Sequence, residues 1–319
     1  MNAQVPGLPE AERLTVQSGE VRLAVYRWGE RHRPVLLLVH GYPDNHAVWL
    51  PLVAHLLEDY QLVAYDVRGA GASDAPRHRR DYHLAHLSAD LQAVIAATSP
   101  QRPVHLLAHD WGSIQTWESV SDPQLRNRIA SYTSISGPCL DHVGWWMRER
   151  LRRRSPGALR EALGQLLHSW YIYYFHLPLL PELTWRLGGG RFWPWFLRRV
   201  EGIRQPPHNP TQARDGRHGV KLYRANFIRA LTQPRQRPTS VPVQLIVPSR
   251  DHYVGAQLFH NLEQWAPQLW RRDARAGHWQ LLDQPQRLAQ WLREFIEYIE
   301  GGEASAELEQ ARVAGSASR

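Results

Sequence analysis

The chain has few of the residues that cross-link proteins or bind metals. Its one cysteine, Cys139, has no partner for an internal disulfide and cannot form a thiolate metal site alone. No cluster rich in His or Cys replaces it, so no metal is expected. Lysine is nearly missing as well: Lys221 stands alone, and almost all 38 basic positions are arginine. No stretch approaches the roughly 18 uninterrupted apolar residues that span a bilayer. The opening MNAQVPGLPEAERLTV lacks the charged-then-apolar pattern of a secretory leader, and a cytoplasmic location is the expectation. A dinucleotide loop is also lacking. YDVRGAGASDAP at 65–76 contains Gly69 and Gly71, but no third glycine falls at 74 and no acidic strand end follows at the right distance, so no cofactor is expected.

The 319 residues suffice for one large α/β domain with an insertion. Short β-rich runs (EVRLAVYRWG, PVLLLVH, QLVAYD, PVHLLAHD, IASYTSISG) alternate with helical patterns up to residue 137. Near-continuous apolar strands separated by helices predict a parallel sheet covered on both faces. Between 138 and 237 the alternation gives way to helical pieces broken by Gly and Pro, then returns with VPVQLIVPS, a helix over GAQLFHNLEQWA, the strand QLWRRDA and a closing helix. The division expected is a core of 1–137 and 238–300, a helical cap of 138–237, and a flexible tail of 301–319. The cap holds 18 Lys+Arg against 6 Asp+Glu, although the whole chain is only +8, and it carries six of the 14 tryptophans. No nucleic-acid motif accompanies this charge. Trp145, Trp146 and the run Arg148 to Arg154 could instead dock on an anionic membrane.

The segment PVHLLAHDWGSIQTWE carries the chemistry. An apolar strand ends at Ala108; His109, Asp110, Trp111 and Gly112 follow, and a helix begins. Small residues two before and two after Asp110 permit the strained strand-to-helix turn that lifts a nucleophile above a sheet edge. An ordinary N-cap aspartate would also fit this place. The neighbours favour the nucleophile. In VLLLVHGYPD, His40 and Gly41 bend the chain after a strand, so the Tyr42 N–H, before Pro43, can form an oxyanion hole with the Trp111 N–H. A base and an orienting acid should follow in the order acid, then histidine. VQLIVPSRDHYV places Asp251 just past a strand end, and RRDARAGHWQLL places His278 in the loop after the next strand.

A carboxylate attacking a carbonyl would give only an anhydride. At a saturated carbon it forms an alkyl ester by displacement, which water activated by His278 and Asp251 can hydrolyse. Cleavage of a carbon–oxygen or carbon–halogen bond is the reaction class this predicts.

The runs H-G-Y-P, R-G-x-G-x-S, H-D-W-G, the late Asp251 and G-H-W together resemble the α/β-hydrolase-fold epoxide hydrolases, over residues 15 to 298. They are also similar to the hydrolase half of bacterial fusions with a short-chain dehydrogenase. Ala108 departs from the usual glycine at the first elbow position. The resemblance implies an α/β-hydrolase fold: a mostly parallel eight-stranded sheet flanked by helices, with the cap inserted before the last two strands. It also implies two cap tyrosines that donate to the departing alkoxide. WYIYYFHLP aligns Tyr171 with the first, His176 replacing a glutamine, and KLYRANF aligns Tyr223 with the second; Tyr173 and Tyr174 are fallbacks. The alternative for both is a core aromatic packed on a cap helix. The implied partner is a small hydrophobic epoxide. Haloalkane dehalogenases share the aspartate nucleophile and hold halide with N–H donors, of which Trp111 would be one. A small-ring lactone and a receptor-like, non-catalytic role are the remaining alternatives.

Overall fold

Strand Val35–Val39 is apolar at every position because both of its faces are covered. Leu36 and Leu38 enter one cluster with Leu62, Ala64, Leu107 and Ile246, whereas Leu37 and Val39 enter another with Val63, Leu106, Ala108 and Leu245. The period-two alternation of side chains thus builds two cores, one on each side of a single sheet.

The structure, a computed structural model, describes residues 7–314. Its strands are β1 (Glu12–Ser18), β2 (Val21–Trp28), β3 (Val35–Val39), β4 (Gln61–Tyr65), β5 (Val104–His109), β6 (Ile129–Ile135), β7 (Val243–Pro248) and β8 (Leu269–Ala274). They lie in the order β1-β2-β4-β3-β5-β6-β7-β8, with only the β1–β2 and β2–β4 pairs antiparallel. This is the mostly parallel eight-stranded sheet expected. The hydrophobic pattern had not singled out β1, an edge strand that is largely exposed. Helices α1 (Leu50–Leu56), α2 (Leu84–Thr98) and α3 (Trp111–Val120) follow the first parallel strands. Six more lie between β6 and β7: α4 (Leu140–Arg153), α5 (Pro156–His168), α6 (Trp170–His176), α7 (Leu180–Thr184), α8 (Gly190–Arg199) and α9 (Gln212–Thr232). The chain closes with α10 (Gln280–Asp283), α11 (Pro285–Ile299) and α12 (Ala306–Ala311). No described helix is long and apolar enough to cross a membrane.

Two expectations need correcting. GAQLFHNLEQWA forms two short 3-10 turns, Ala256–Phe259 and Leu262–Gln264, because Asn261 adopts a left-handed φ of 60° that breaks helical continuity. The expected tail is ordered through the described residues: Leu308 of α12 is sealed against Trp270 and Phe295, and Val313 donates to the Leu269 carbonyl on the edge strand β8. Residues 315–319 of that stretch lie outside the described residues. Part of the stretch 145–154 packs against the rest of the protein. Trp146 is buried beneath the Arg150 guanidinium, 4.6 Å from the ring centroid, and Arg150 bonds Glu149 and Glu161. Trp145 donates to the Arg235 carbonyl, and Arg148 to that of Thr232. Trp145, Trp146, Arg148 and Arg150 are thus tied into the protein, whereas Arg152 and Arg154 make no salt bridge among the described residues.

Neighbours of β3 run to opposite sides in sequence, β4 on one flank and β5 on the other. At such a switch point the loops after the two strands part and leave a crevice. Residues 40–44 and Asp110 occupy it.

Candidate active site

Asp110 has φ 51° and ψ −122°, a strained conformation that turns the chain out of β5 and into α3. Neighbouring backbone leaves no room for larger residues there. A Cβ on Gly112 would sit 2.0 Å from the Val39 carbonyl oxygen, and one on Gly41 would sit 2.5 Å from Asp110 Oδ1. The elbow and the His-Gly-Tyr-Pro loop therefore press directly on each other. The Tyr42 N–H consequently reaches Asp110 Oδ1 and donates to it at 2.7 Å. The Trp111 N–H, first in α3 and so without an intrahelical acceptor, makes no bond to the carboxylate among the described residues. His40 fixes the loop's base: the Val67 N–H donates to Nε2 at 3.0 Å, so the proton sits on Nδ1 and bonds the Gly41 carbonyl at 2.9 Å. Burial holds this imidazole below its usual range. Pro43 anchors the loop to the cap, its carbonyl accepting from Gln212 Nε2 at 2.6 Å.

The other Asp110 oxygen, Oδ2, faces His278 Nε2 across 3.6 Å. His278 Nδ1 bonds Asp251 Oδ2 at 2.9 Å. Asp251 Oδ1 accepts from the N–H groups of Tyr253 and Val254, at 2.8 and 3.0 Å, so the acid is held in place by its own loop. Burial works against the charge on Asp251, yet His278 and these N–H donors bring its pKa below the usual carboxylate range. Burial likewise disfavours the imidazolium, but Asp251 and Asp110 together push His278 up to about 10. The three groups thus form one coupled unit, with the proton resting on the histidine.

Tyr171 on α6 and Tyr223 on α9 converge over this unit. Their rings lie 6.2 Å apart and perpendicular, and Tyr223 packs edge-on against Trp111 at 4.9 Å. Both phenols are raised above their ordinary value, first by burial and next by the Asp110 charge. Tyr171 Oη makes a long bond to the Tyr253 carbonyl at 3.4 Å. The convergence has an identifiable cause. Arg224 donates to the Phe175 and Leu177 carbonyls at the end of α6 and pairs with Glu182, joining α6 to α9. Asn226 bonds the Leu84 N–H and the Tyr82 carbonyl, pinning α9 to the core. Tyr173 is 53% exposed and Tyr174 bonds Thr184, so neither fallback faces the site.

Two buried groups gain a place that sequence reasoning did not give them. Asp44 closes the His-Gly-Tyr-Pro-Asp run; burial pushes its carboxyl up to about 7 although the Trp279 indole N–H donates to it at 2.9 Å. His109 donates from Nε2 to the His278 carbonyl at 3.0 Å, and burial brings it down to about 4, so it is neutral. The signal for both lay in the motifs: each is adjacent to a residue already assigned. No group of described His, Cys, Asp and Glu residues is arranged to hold a metal.

The sheet order, the elbow after β5 and the late histidine define an α/β hydrolase. Residues 34–285 match the family described as alpha/beta hydrolase fold, and the chain belongs to it. It is 38% identical, over 97% of its own length, to a Mycobacterium tuberculosis protein named "probable oxidoreductase EphD", of which it spans 53%. It is 25% identical to epoxide hydrolase 3 of Xenopus tropicalis, covering 89% of this chain and 77% of that one. Among solved structures, a Bacillus megaterium epoxide hydrolase shares the fold with a TM-score of 0.73 at 20% identity, over 89% of this chain and all of that one. This chain therefore spans about half the length of the mycobacterial relative.

Proposed function

We propose that the protein hydrolyses apolar epoxides to vicinal diols through an ester on Asp110. The observation that carries this reading is the division of labour on one carboxylate: Oδ1 is held by the Tyr42 N–H at 2.7 Å while Oδ2 faces the His278–Asp251 pair. Oδ2 attacks an epoxide carbon, the carbon–oxygen bond breaks, and the alkoxide takes a proton from Tyr171 or Tyr223. A phenol suits this because it stays protonated at neutral pH yet stabilises an alkoxide by hydrogen bonding. Esterification removes the Asp110 charge, and with it part of what keeps the proton on His278. The imidazole thereby becomes a base only once the intermediate exists. The proton that leaves His278 restores the phenol; the neutral imidazole then takes a proton from water attacking the ester carbon while the Tyr42 and Trp111 N–H groups hold the oxyanion on Oδ1, and on collapse it returns that proton to the departing diol oxygen, the proton left on the regenerated Asp110 carboxyl passing back to His278. Several names among the relatives point the same way.

Atom balance supplies the test. The diol's new oxygen is Oδ2, and the water oxygen stays on Asp110. A single turnover in ¹⁸O-water should therefore label the Asp110 peptide and leave the first diol unlabelled. Label in that diol would mean direct attack by water and end the proposal.

One observation favours a second reading. Trp111 Nε1 is buried without a hydrogen-bond partner among the described residues, a donor suited to a halide leaving group. Halide release from haloalkanes faster than diol formation from epoxides would establish it.

A further inference from the structure

All sixteen large hydrophobic side chains that are exposed among the described residues lie between Leu151 and Ile228, in the cap; the core exposes none. Single exposed leucines are ordinary, but a concentration of this kind in one inserted layer is not. Helix α5 shows that it is built in. Its inward face carries the small or polar residues Ala158, Ala162 and Gln165, whereas Leu159, Leu163, Leu166 and Leu167 stand on the outward stripe, Leu167 being 68% exposed. An amphipathic helix packed only for the fold would present the reverse arrangement. Trp170 at the start of α6 is exposed as well, as are Phe192 and Trp195 on α8, at 66% and 57%.

Charge identifies what this face meets. Residues 151–200 contain eight arginines and two glutamates. Glu182 is taken by Arg224, and Glu161 by Arg150. Arg154, Arg160, Arg186, Arg191, Arg198 and Arg199 make no salt bridge among the described residues. Arginine presents a planar fork that engages phosphate oxygens, and tryptophan favours the boundary between headgroups and acyl chains. A second copy seated on the same face would set arginine against arginine. We infer that the outward face of α5, α6 and α8 docks on an anionic phospholipid surface. The helices lie along the boundary, with the leucine and tryptophan side chains in the acyl region and the arginines at the phosphates.

Helix α6 joins this face to the site. Trp170 and Tyr173 point outward, while Tyr171 and Phe175 pack inward on the cluster around Tyr223 and Trp111. One helix diameter, about 10 Å, thus separates the docked lipid from the proposed proton donor. The docking claim stands on the surface alone and is independent of the reaction assigned to the site.

The test is cosedimentation with vesicles of phosphatidylcholine alone and of equal parts phosphatidylcholine and phosphatidylglycerol. The protein should bind the anionic vesicles, and binding should fall as salt rises. Leu163→Ser combined with Leu167→Ser should weaken it at least tenfold, and each of Arg160→Ser, Arg191→Ser and Arg198→Ser about fivefold. All five side chains lie on exposed helical faces, so Tm should stay close to the parent's; that measurement separates lost docking from lost folding. Absence of binding to the anionic vesicles, or binding that these variants leave unchanged, overturns the inference. So does concentration-dependent self-association in buffer that the Leu163→Ser, Leu167→Ser variant abolishes, which would make a second copy the occupant.

Discussion

Core and cap differ in where they put their large apolar side chains and in what holds their functional groups. In the sheet, leucines and valines alternate into two closed cores; Asp110 follows directly on β5, and Asp251 and His278 stand in short loops just beyond β7 and β8, joined to each other by a hydrogen bond. In the cap, the inward face of α5 carries small residues and the apolar stripe looks out, while Tyr171 and Tyr223 are placed by a few side-chain bonds from Arg224 and Asn226. A rigid frame suits covalent chemistry, which needs attack geometry held closely. A layer tied by a few polar contacts suits the admission of a substrate and the gripping of a leaving group. The two layers should therefore fail in different ways when mutated.

The largest effect belongs to the elbow. Asp110→Asn keeps a side chain that tolerates positive φ but removes the proposed nucleophile, and diol formation should drop at least about a thousandfold. Next comes the base proposed for the core. In His278→Gln the ester should form and persist, its hydrolysis slowed roughly a hundredfold or more, so that mass spectrometry finds one equivalent of substrate on the Asp110 peptide. Cap variants should reverse the pattern. Tyr171→Phe or Tyr223→Phe should slow ester formation roughly tenfold to a hundredfold without slowing ester breakdown, and the double variant more. Rapid-quench measurement of the two steps would break the comparison if a tyrosine variant stalled at the ester or the histidine variant stalled before it.

These roles were legible in the sequence to unequal degrees. Asp110, Asp251 and His278 could be placed because strand ends in a parallel sheet are readable from apolar runs. The tyrosines needed resemblance, since nothing in helical periodicity separates Tyr171 from Tyr173. Periodicity shows that α5 has an apolar stripe but not which side it turns to the core; only the small residues packed beneath it decide that. Residues 301–314 looked like a tail because alanine, glutamate and glycine dominate them and only Leu308 and Val313 are larger apolar residues. One leucine, Leu308, seals the segment onto β8, and a single anchor is below what composition can signal.

A stability profile sharpens the comparison from the core side. His278 is held near 10 in the folded protein against an ordinary 6.5. Below about 6.5 both folded and unfolded chains carry the proton, and its attraction to Asp251 and Asp110 contributes in full. As pH rises from there the unfolded chain loses the proton while the folded one keeps it, so stability declines by roughly 1 kcal/mol per pH unit until the folded group titrates near 10. Denaturant midpoints recorded between pH 6.5 and 10 should follow this slope, and His278→Gln should flatten it.

The smallest effect falls on the cap's attachment. Asn226→Ala removes the bonds to the Leu84 N–H and the Tyr82 carbonyl, groups at the rim of the core that then lie buried without this partner. At about 1 kcal/mol for each lost bond, the protein should be destabilised by about 2 kcal/mol. Because Asn226 lies one helical turn after Tyr223, the loosened α9 should also let that phenol drift from Asp110. The kinetic signature would be slower ester formation with unchanged ester hydrolysis, a weaker copy of Tyr223→Phe. Were ester hydrolysis to slow instead, the cap would be acting on the core's machinery, and the separation of the two layers would not hold.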